Sequence, residues 1–270
     1  MTDSPSSASA DGDLWQDLRR FTNARIALGR SGVSLPVARQ LEFQAAHAAA
    51  RTAVHSALDV PALTSDLSEL PLDLHTVHSQ VGDRSEYLRR PDLGRRLNAA
   101  DADRLRALAP AEPADLAIVI ADGLSALAVQ QSAPPFLRAF LPYVAQSGLT
   151  LAPASIALQG RVAIGDDIAG CLGARCVIVL IGERPGLSAA DSLGLYLTWA
   201  PSLESTDADR NCISNIREGG LSFADAAYRA GYLLQEAFRR RLSGVMLKDN
   251  SVATPEIGAT EAAALPDATD

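Results

Sequence analysis

Leu116-Ala117-Ile118-Val119-Ile120 is a wholly apolar run, closed by Ala121-Asp122-Gly123-Leu124-Ser125. A strand with one face in water alternates apolar and polar residues, whereas a run without polar interruption is apolar on both faces. These residues therefore predict a buried strand with helices above and below it. Cys176-Val177-Ile178-Val179-Leu180-Ile181 repeats the pattern and ends in Gly182-Glu183-Arg184-Pro185-Gly186. Thr150 to Leu158 and Leu195 to Trp199 read as two further strands, and Leu74 to Val77 as a short one. Helical segments fall between them, at Pro135 to Gln146 and around Asp166 to Leu172, with a last helix at Phe223 to Leu242. Doubly apolar strands alternating with helices predict an α/β fold, a parallel sheet flanked by helices and joined by right-handed crossovers.

On the amino-terminal side the texture is different. Residues 13–70 predict a helical arm: Leu14, Trp15 and Leu18 recur at helical spacing, and Pro36 opens an Ala-rich helix from Val37 to Leu58. Leu41, Ala45, Ala48, Ala49 and Thr52 share one face of that helix. A Gly-punctuated loop, Arg25 to Gly32, precedes it. Pro91 to Leu97 and Asp101 to Leu108 read as helical turns. The expected division is a disordered tail over 1–12, the helical arm over 13–70, the sheet domain over 71–248 and a disordered tail over 249–270, both tails being poor in large apolar residues.

Composition limits the function classes. The 270 residues carry a formal net charge of -8, the reverse of the basic surplus that neutralises phosphates in a nucleic-acid binder. Arg clusters such as Arg89-Arg90 and Arg95-Arg96 read as solvated or partner-facing helix surface. No apolar run reaches the roughly 20 residues of a membrane-spanning helix. The three cysteines, Cys171, Cys176 and Cys212, lack C-x-x-C spacing and read as free thiols of a cytoplasmic protein. Met1 to Gly12 has neither a basic region nor an apolar core and does not read as a leader.

In open parallel sheets, ligands bind beyond the carboxyl ends of the strands. The loops expected there are Asp122 to Ser125, Gly160-Arg161-Val162, Gly182 to Gly186 and the polar stretch Pro201 to Gly220. Together they make Leu151 to Gly220 the expected binding rim. No G-x-G-x-x-G and no G-x-x-x-x-G-K motif is present. Asp122-Gly123-Leu124-Ser125 is not the G-x-S-x-G elbow of hydrolases, and Ser125 reads as a helix cap. His47 and His55 lie two helical turns apart, too far for one metal site, so no metal ligands are expected. Asp73-Leu74-His75-Thr76-Val77-His78 begins like the D-x-H-x-x-G signature that supplies an axial histidine in one class of cobalamin proteins, but His78 stands where the glycine would be. Glu183 reads either as a surface ion-pair partner or as an acceptor for ligand N–H groups. Cys212 reads either as a small buried hydrophobe or as a pocket contact.

Five segments in order resemble the small (light) subunit of ethanolamine ammonia-lyase. They are Arg25 to Gly32, Tyr87 to Leu97, Ile120 to Ser125, Val179 to Leu187 and Ala208 to Ile216, and the likeness runs from about Leu14 to Met246. The resemblance implies a Rossmann-like domain with N-terminal helices that covers adenosylcobalamin at an interface with a large subunit. In that family the large subunit is a TIM barrel that converts ethanolamine to acetaldehyde and ammonia. The cofactor there keeps its own benzimidazole on cobalt. Carried over position by position, the resemblance implies cobalamin contacts at Val162, Glu183 and Cys212, with no catalytic residue on this chain. Some relatives carry an amphipathic helix that directs them to a bacterial microcompartment; Met1 to Gly12 shows no such pattern. The alternative to a cofactor-orienting subunit is a stand-alone Rossmann-like nucleotide or small-molecule binder.

Overall fold

The computed structural model describes Leu18, residues 25–187 and residues 189–251. The expected tail at 1–12, residues 252–270 of the expected tail at 249–270, and Leu14 and Trp15 of the expected helical spacing lie outside the described residues. Asp249–Ser251, the first part of the expected C-terminal tail, are described. Ser251 is buried and its carbonyl accepts from Tyr228 Oη at 3.3 Å.

Helix α1 spans Val37–His55 and α2 spans Val60–Asp66. Pro36 stands at the N-cap of α1, as its fixed φ favours. The stripe at Leu41, Ala45, Ala48, Ala49 and Thr52 faces solvent, and only Ala53 of α1 is buried. By contrast, α2 is capped by Asp59, whose carboxylate accepts from Ala62 N, and it places Leu63 in the main core, with Leu67 just beyond its end.

The sheet has six strands: β1 Leu74–His78, β2 Leu116–Ala121, β3 Ala154–Leu158, β4 Cys176–Gly182, β5 Leu193–Trp199 and β6 Arg210–Ile216. Their spatial order is β1-β3-β2-β4-β5-β6. The first four pair in parallel; β5 runs antiparallel to β4, and β6 antiparallel to β5. The α/β class stands, but the expected all-parallel, Rossmann-like sheet is corrected to a mixed one. The reason lies in the connector after β4. The described residues of 183–192 contain no helix, and a parallel return needs a crossover of about a dozen or more residues.

Helices α3 Arg84–Arg89 and α4 Ala99–Leu108 follow β1, α5 Ala126–Gln146 follows β2, α6 Ile164–Leu172 follows β3, and α7 Phe223–Arg240 follows β6. Alternate residues of each central strand point to opposite faces. Ile118, Ile120, Ile178 and Leu180 join α5 and α7 in one core, while Ala117, Val119, Val177 and Val179 join α4 and α6 in the other. Every residue of β2 and β4 is buried, as their unbroken apolar runs require.

Several boundaries differ from expectation. Helix α5 begins at Ala126 rather than Pro135, even though Pro134, Pro135 and Pro142 lie inside it. Proline removes a helical N–H, and here burial of Phe136, Leu137 and Phe140 outweighs that loss. Strand β3 starts only at Ala154. Thr150 instead bonds the Asp115 carboxylate, and Pro153 has no N–H to give a ladder. The largest difference is β6, a strand within the stretch expected to be a polar loop. Its Asn211, Ser214 and Asn215 are polar because β6 is an edge strand.

Candidate functional site

Helix α5 leaves β2 toward one face of the sheet, and α6 leaves the neighbouring β3 toward the other. The chain therefore opens a crevice between the carboxyl ends of β2 and β3. Asp122, directly after β2, fills its floor. Its carboxylate accepts from Gln159 N at 3.0 Å and Gly160 N at 3.1 Å. Arg84 Nη1 lies 3.8 Å away and also donates to Gln159 Oε1 at 3.2 Å. Burial pushes the Asp122 carboxyl above its ordinary range, against the two amide donors and the Arg84 charge.

Tyr87 of α3 is wholly buried beside this floor and donates to the Gly160 carbonyl at 3.0 Å. The guanidiniums of Arg84 and Arg161 cover its ring at 4.5 Å and 4.1 Å. Burial pushes the phenol up to about 12, so Tyr87 remains a donor at neutral pH.

Beyond the floor lies a groove in two adjoining parts, of about 660 and 430 Å³. Arg161, Val162 and Tyr196 line both. Cys212, Arg95 and Arg210 line the larger part; Glu183, Leu124 and Ile181 line the smaller. The three residues singled out from the sequence thus come together, from the β3–α6 loop, the end of β4 and the middle of β6. Cys212 is not in a loop but pairs with Tyr196 across the β5–β6 ladder.

Tyr196, which lines both parts of the groove, was missed in the sequence. Inside the strand run LGLYLTW its only signal is a phenol hydroxyl among mostly aliphatic neighbours. Its phenol is pushed up, by burial first and then by the neighbouring Cys212 and Glu183. The Cys212 thiol is also raised: packing about the sulfur dominates, the Tyr196 hydrogen bond opposes it and Glu183 adds to it. A protonated thiol does not suit nucleophilic chemistry. Glu183 Oε2 accepts from Ser192 Oγ at 2.5 Å and Asn215 N at 3.3 Å. Among the described residues Oε1 makes no hydrogen bond, and Arg161 Nε is a buried donor without a partner.

Each of the four expected loops contributes to the groove: Leu124, then Arg161 and Val162, then Glu183 and Arg184, and Ser205, Thr206 and Asp207 with Arg210 and Cys212 of β6. The last stretch starts at the opposite edge because β5 is antiparallel. Ser125 caps α5 as expected, accepting from Ala128 N at 3.2 Å. His75 Nε2, on β1, lies 3.0 Å from the Asp73 carboxylate, away from the groove. Among the described residues no group of three or more His, Cys, Asp or Glu could hold a metal ion, and no helix is long and apolar enough to cross a membrane.

Residues 12–248 match the family model of the ethanolamine ammonia-lyase light chain (EutC). Similar proteins include the ethanolamine ammonia-lyase small subunit of Pseudomonas syringae pv. tomato, 54% identical over 90% of this chain and 85% of the relative. Those of Pseudomonas putida strain W619 (56% identical, 88% of each chain) and Pseudomonas fluorescens SBW25 (52%, covering 93% of this chain and 91% of the relative) are comparable. A match of this extent settles membership: the chain belongs to the ethanolamine ammonia-lyase small (light) subunit family.

Proposed function

We propose that this chain is the cofactor-orienting subunit of an adenosylcobalamin-dependent ethanolamine ammonia-lyase, and that its groove forms one side of a cobalamin site facing the large subunit. The observation that carries this reading is the convergence of Val162, Glu183 and Cys212, far apart in sequence, on one two-part groove. The groove also fits the chemistry of the group. Cobalamin presents a broad apolar ring edged with amides, and such sites combine apolar walls with a few placed polar groups. Val162 and Tyr196 supply apolar wall, Glu183 Oε1 is an acceptor for amide N–H, and Arg161 Nε is a donor for amide carbonyl. No histidine lines the groove, which accords with a cofactor that carries its own axial base. The likeness to Rossmann-like cofactor domains rests on the four parallel strands and the crevice at β2 and β3.

When bound, adenosylcobalamin supplies the radical initiator for conversion of ethanolamine to acetaldehyde and ammonia. The residues of this chain bind and orient it. Glu183 is held by Ser192 and Asn215 so that one carboxylate oxygen stays available, and Val162 and Tyr196 keep water from the ring face. The protonated Cys212 packs and does not react. The groups that act on ethanolamine then belong to the large subunit.

The test combines the full chain, the large subunit and adenosylcobalamin. Deamination is expected only when all three are present; robust turnover by the isolated chain would end the proposed division of labour. Glu183→Gln keeps shape and loses charge. It should leave co-purification with the large subunit intact and weaken apparent cobalamin affinity by about tenfold, the effect of one charged hydrogen bond. Unchanged affinity would take Glu183 out of the site.

A further inference from the structure

The cofactor reading says what lines the groove but not what sets its shape. Gly160, two residues before Val162, is gripped at both ends of its backbone. Its N–H donates to the buried Asp122 carboxylate at 3.1 Å, and its carbonyl accepts from the buried Tyr87 phenol at 3.0 Å. The next residue is fixed as well: Arg161 N donates to the Gly94 carbonyl at 2.7 Å, and its guanidinium stacks on Tyr87 while donating to the Tyr87 carbonyl at 3.1 Å. Gln159 needs the hold, since it sits at φ 55°, a region unfavourable for a non-glycine residue. Asp122 supplies it by accepting from Gln159 N at 3.0 Å.

The same segment grips the other side of the groove. Leu124 N donates to the Gly182 carbonyl at 2.9 Å, and Gly182 immediately precedes Glu183. A Cβ at Gly182 would lie 2.0 Å from the Ser125 carbonyl oxygen, so the two loops touch backbone to backbone. Ser125 Oγ donates to the Ala190 carbonyl at 2.6 Å, tying down the connector behind Glu183.

We propose that Asp122 and Tyr87 are positioning residues for the groove: acting through the Gly160 peptide, they fix Val162 relative to Glu183 and so preorganise the cofactor contacts. The proposal rests on the cofactor reading above. Neither side chain needs to touch the cofactor, although the fully buried Tyr87 borders the smaller part of the groove. Asp122 is spent on two amides and Arg84, and the Tyr87 hydroxyl on a carbonyl. Sites held by such supporting bonds lose affinity when the support is removed, even with every contact residue present.

The experiment uses Asp122→Asn and Tyr87→Phe in the full chain, alone and in complex with the large subunit. Asp122→Asn presents an amide N–H where the carboxylate accepted, so one of the two backbone donors loses its partner. Tyr87→Phe is milder: it keeps the ring between Arg84 and Arg161 and removes one hydroxyl. Leu67→Ala, in the core and away from the groove, is the control for lost stability alone. In the chain alone, amide exchange at Gln159, Gly160 and Arg161 should accelerate in both variants while β2 and β4 stay protected. In the complex, KM for adenosylcobalamin should rise about tenfold for Asp122→Asn and about threefold for Tyr87→Phe, with kcat at saturating cofactor nearly unchanged. Leu67→Ala should lower the melting temperature and leave the cofactor KM alone. Should Asp122→Asn fail to fold, Tyr87→Phe decides. Local exchange unchanged, or accelerated exchange with an unchanged cofactor KM, overturns the positioning role while wild-type saturation by adenosylcobalamin keeps the cofactor reading. A wild-type complex that shows no dependence on adenosylcobalamin sinks both.

Discussion

Arg210 and Asp166 form a bidentate ion pair, Nη1 to Oδ1 at 2.8 Å and Nη2 to Oδ2 at 2.6 Å, with side chains only 2% and 3% exposed. Arg210 opens β6 and Asp166 lies in the first turn of α6, so the pair joins the edge strand to the helix that follows the Val162 loop. Burial works against the Arg210 charge, but the Asp166 carboxylate overrides it and holds the guanidinium pKa above its ordinary value. Thr198 Oγ1 accepts a further bond from Nη1 at 3.0 Å.

Breaking that pair strands a charge in the interior. Arg210→Met should therefore destabilise the chain by about 3–5 kcal/mol in urea denaturation. Arg210→Met combined with Asp166→Leu should recover most of the loss, because no buried charge is left unpaired. A double variant as unstable as the single one would show that packing, not charge, dominates the site.

Helix α6 approaches β4 with no room to spare. A Cβ at Gly165 would lie 2.3 Å from Val179 Cγ2, on a strand buried from both sides. Gly165→Ala should lift α6 from the sheet and cost about 1–3 kcal/mol, despite the better helix propensity of alanine. Thermal melting of the two chains measures this. An alanine variant at least as stable as the wild type would contradict the close approach.

Asp101 gives a pH signature. Burial would raise its carboxyl, but the His78 N–H at 2.7 Å, Asn98 Nδ2 at 2.9 Å and the Arg104 charge outweigh it and hold the pKa below its ordinary 3.8. A lowered carboxylate contributes stability above its unfolded pKa, and the contribution disappears as pH falls through the folded value. At pH 7, Asp101→Asn should therefore be less stable than wild type by about 1–3 kcal/mol. The gap should begin to close near pH 3.8 and vanish below the lowered folded pKa. Denaturation curves from pH 7 downward test it; a gap independent of pH would assign the effect to shape.

The three thiols should differ in reactivity. Cys171 and Cys176 are buried and Cys212 is exposed. Iodoacetamide applied to the native isolated chain should label Cys212 alone. Because that thiol is raised, labelling at neutral pH should be slower than for free cysteine. Faster labelling would mean a thiolate, and Cys212 would have to be reconsidered as a reactive group.

The helices and strands of the centre were largely legible because their cause is local. Leu116 to Ile120 and Cys176 to Ile181 are apolar at every position, and only burial on both faces accommodates that. The Ser125 cap follows from a hydroxyl ahead of a helical run, and the five-segment resemblance depends on residue identity alone. The exposure of the α1 stripe was not legible, for a related reason. An Ala-rich face has helical period whether or not anything covers it, and period does not report burial. Likewise β6 is polar, and an edge strand with such residues reads as a loop until a neighbour offers it a ladder.

The groove itself was half legible. The expected rim and the resemblance named Val162, Glu183 and Cys212, but nothing in one dimension brought Tyr196 to the same groove. That required the reversal at β4–β5, which carries Tyr196 and Cys212 back across the sheet, and the Asp122 and Tyr87 bonds to Gly160 across long separations. Periodicity and propensity act between near neighbours, so the sequence by itself determined the α/β class, the buried strands and the family. Strand direction, the composition of the groove and the supports beneath it are set by pairings between distant residues, and only the tertiary structure decided them.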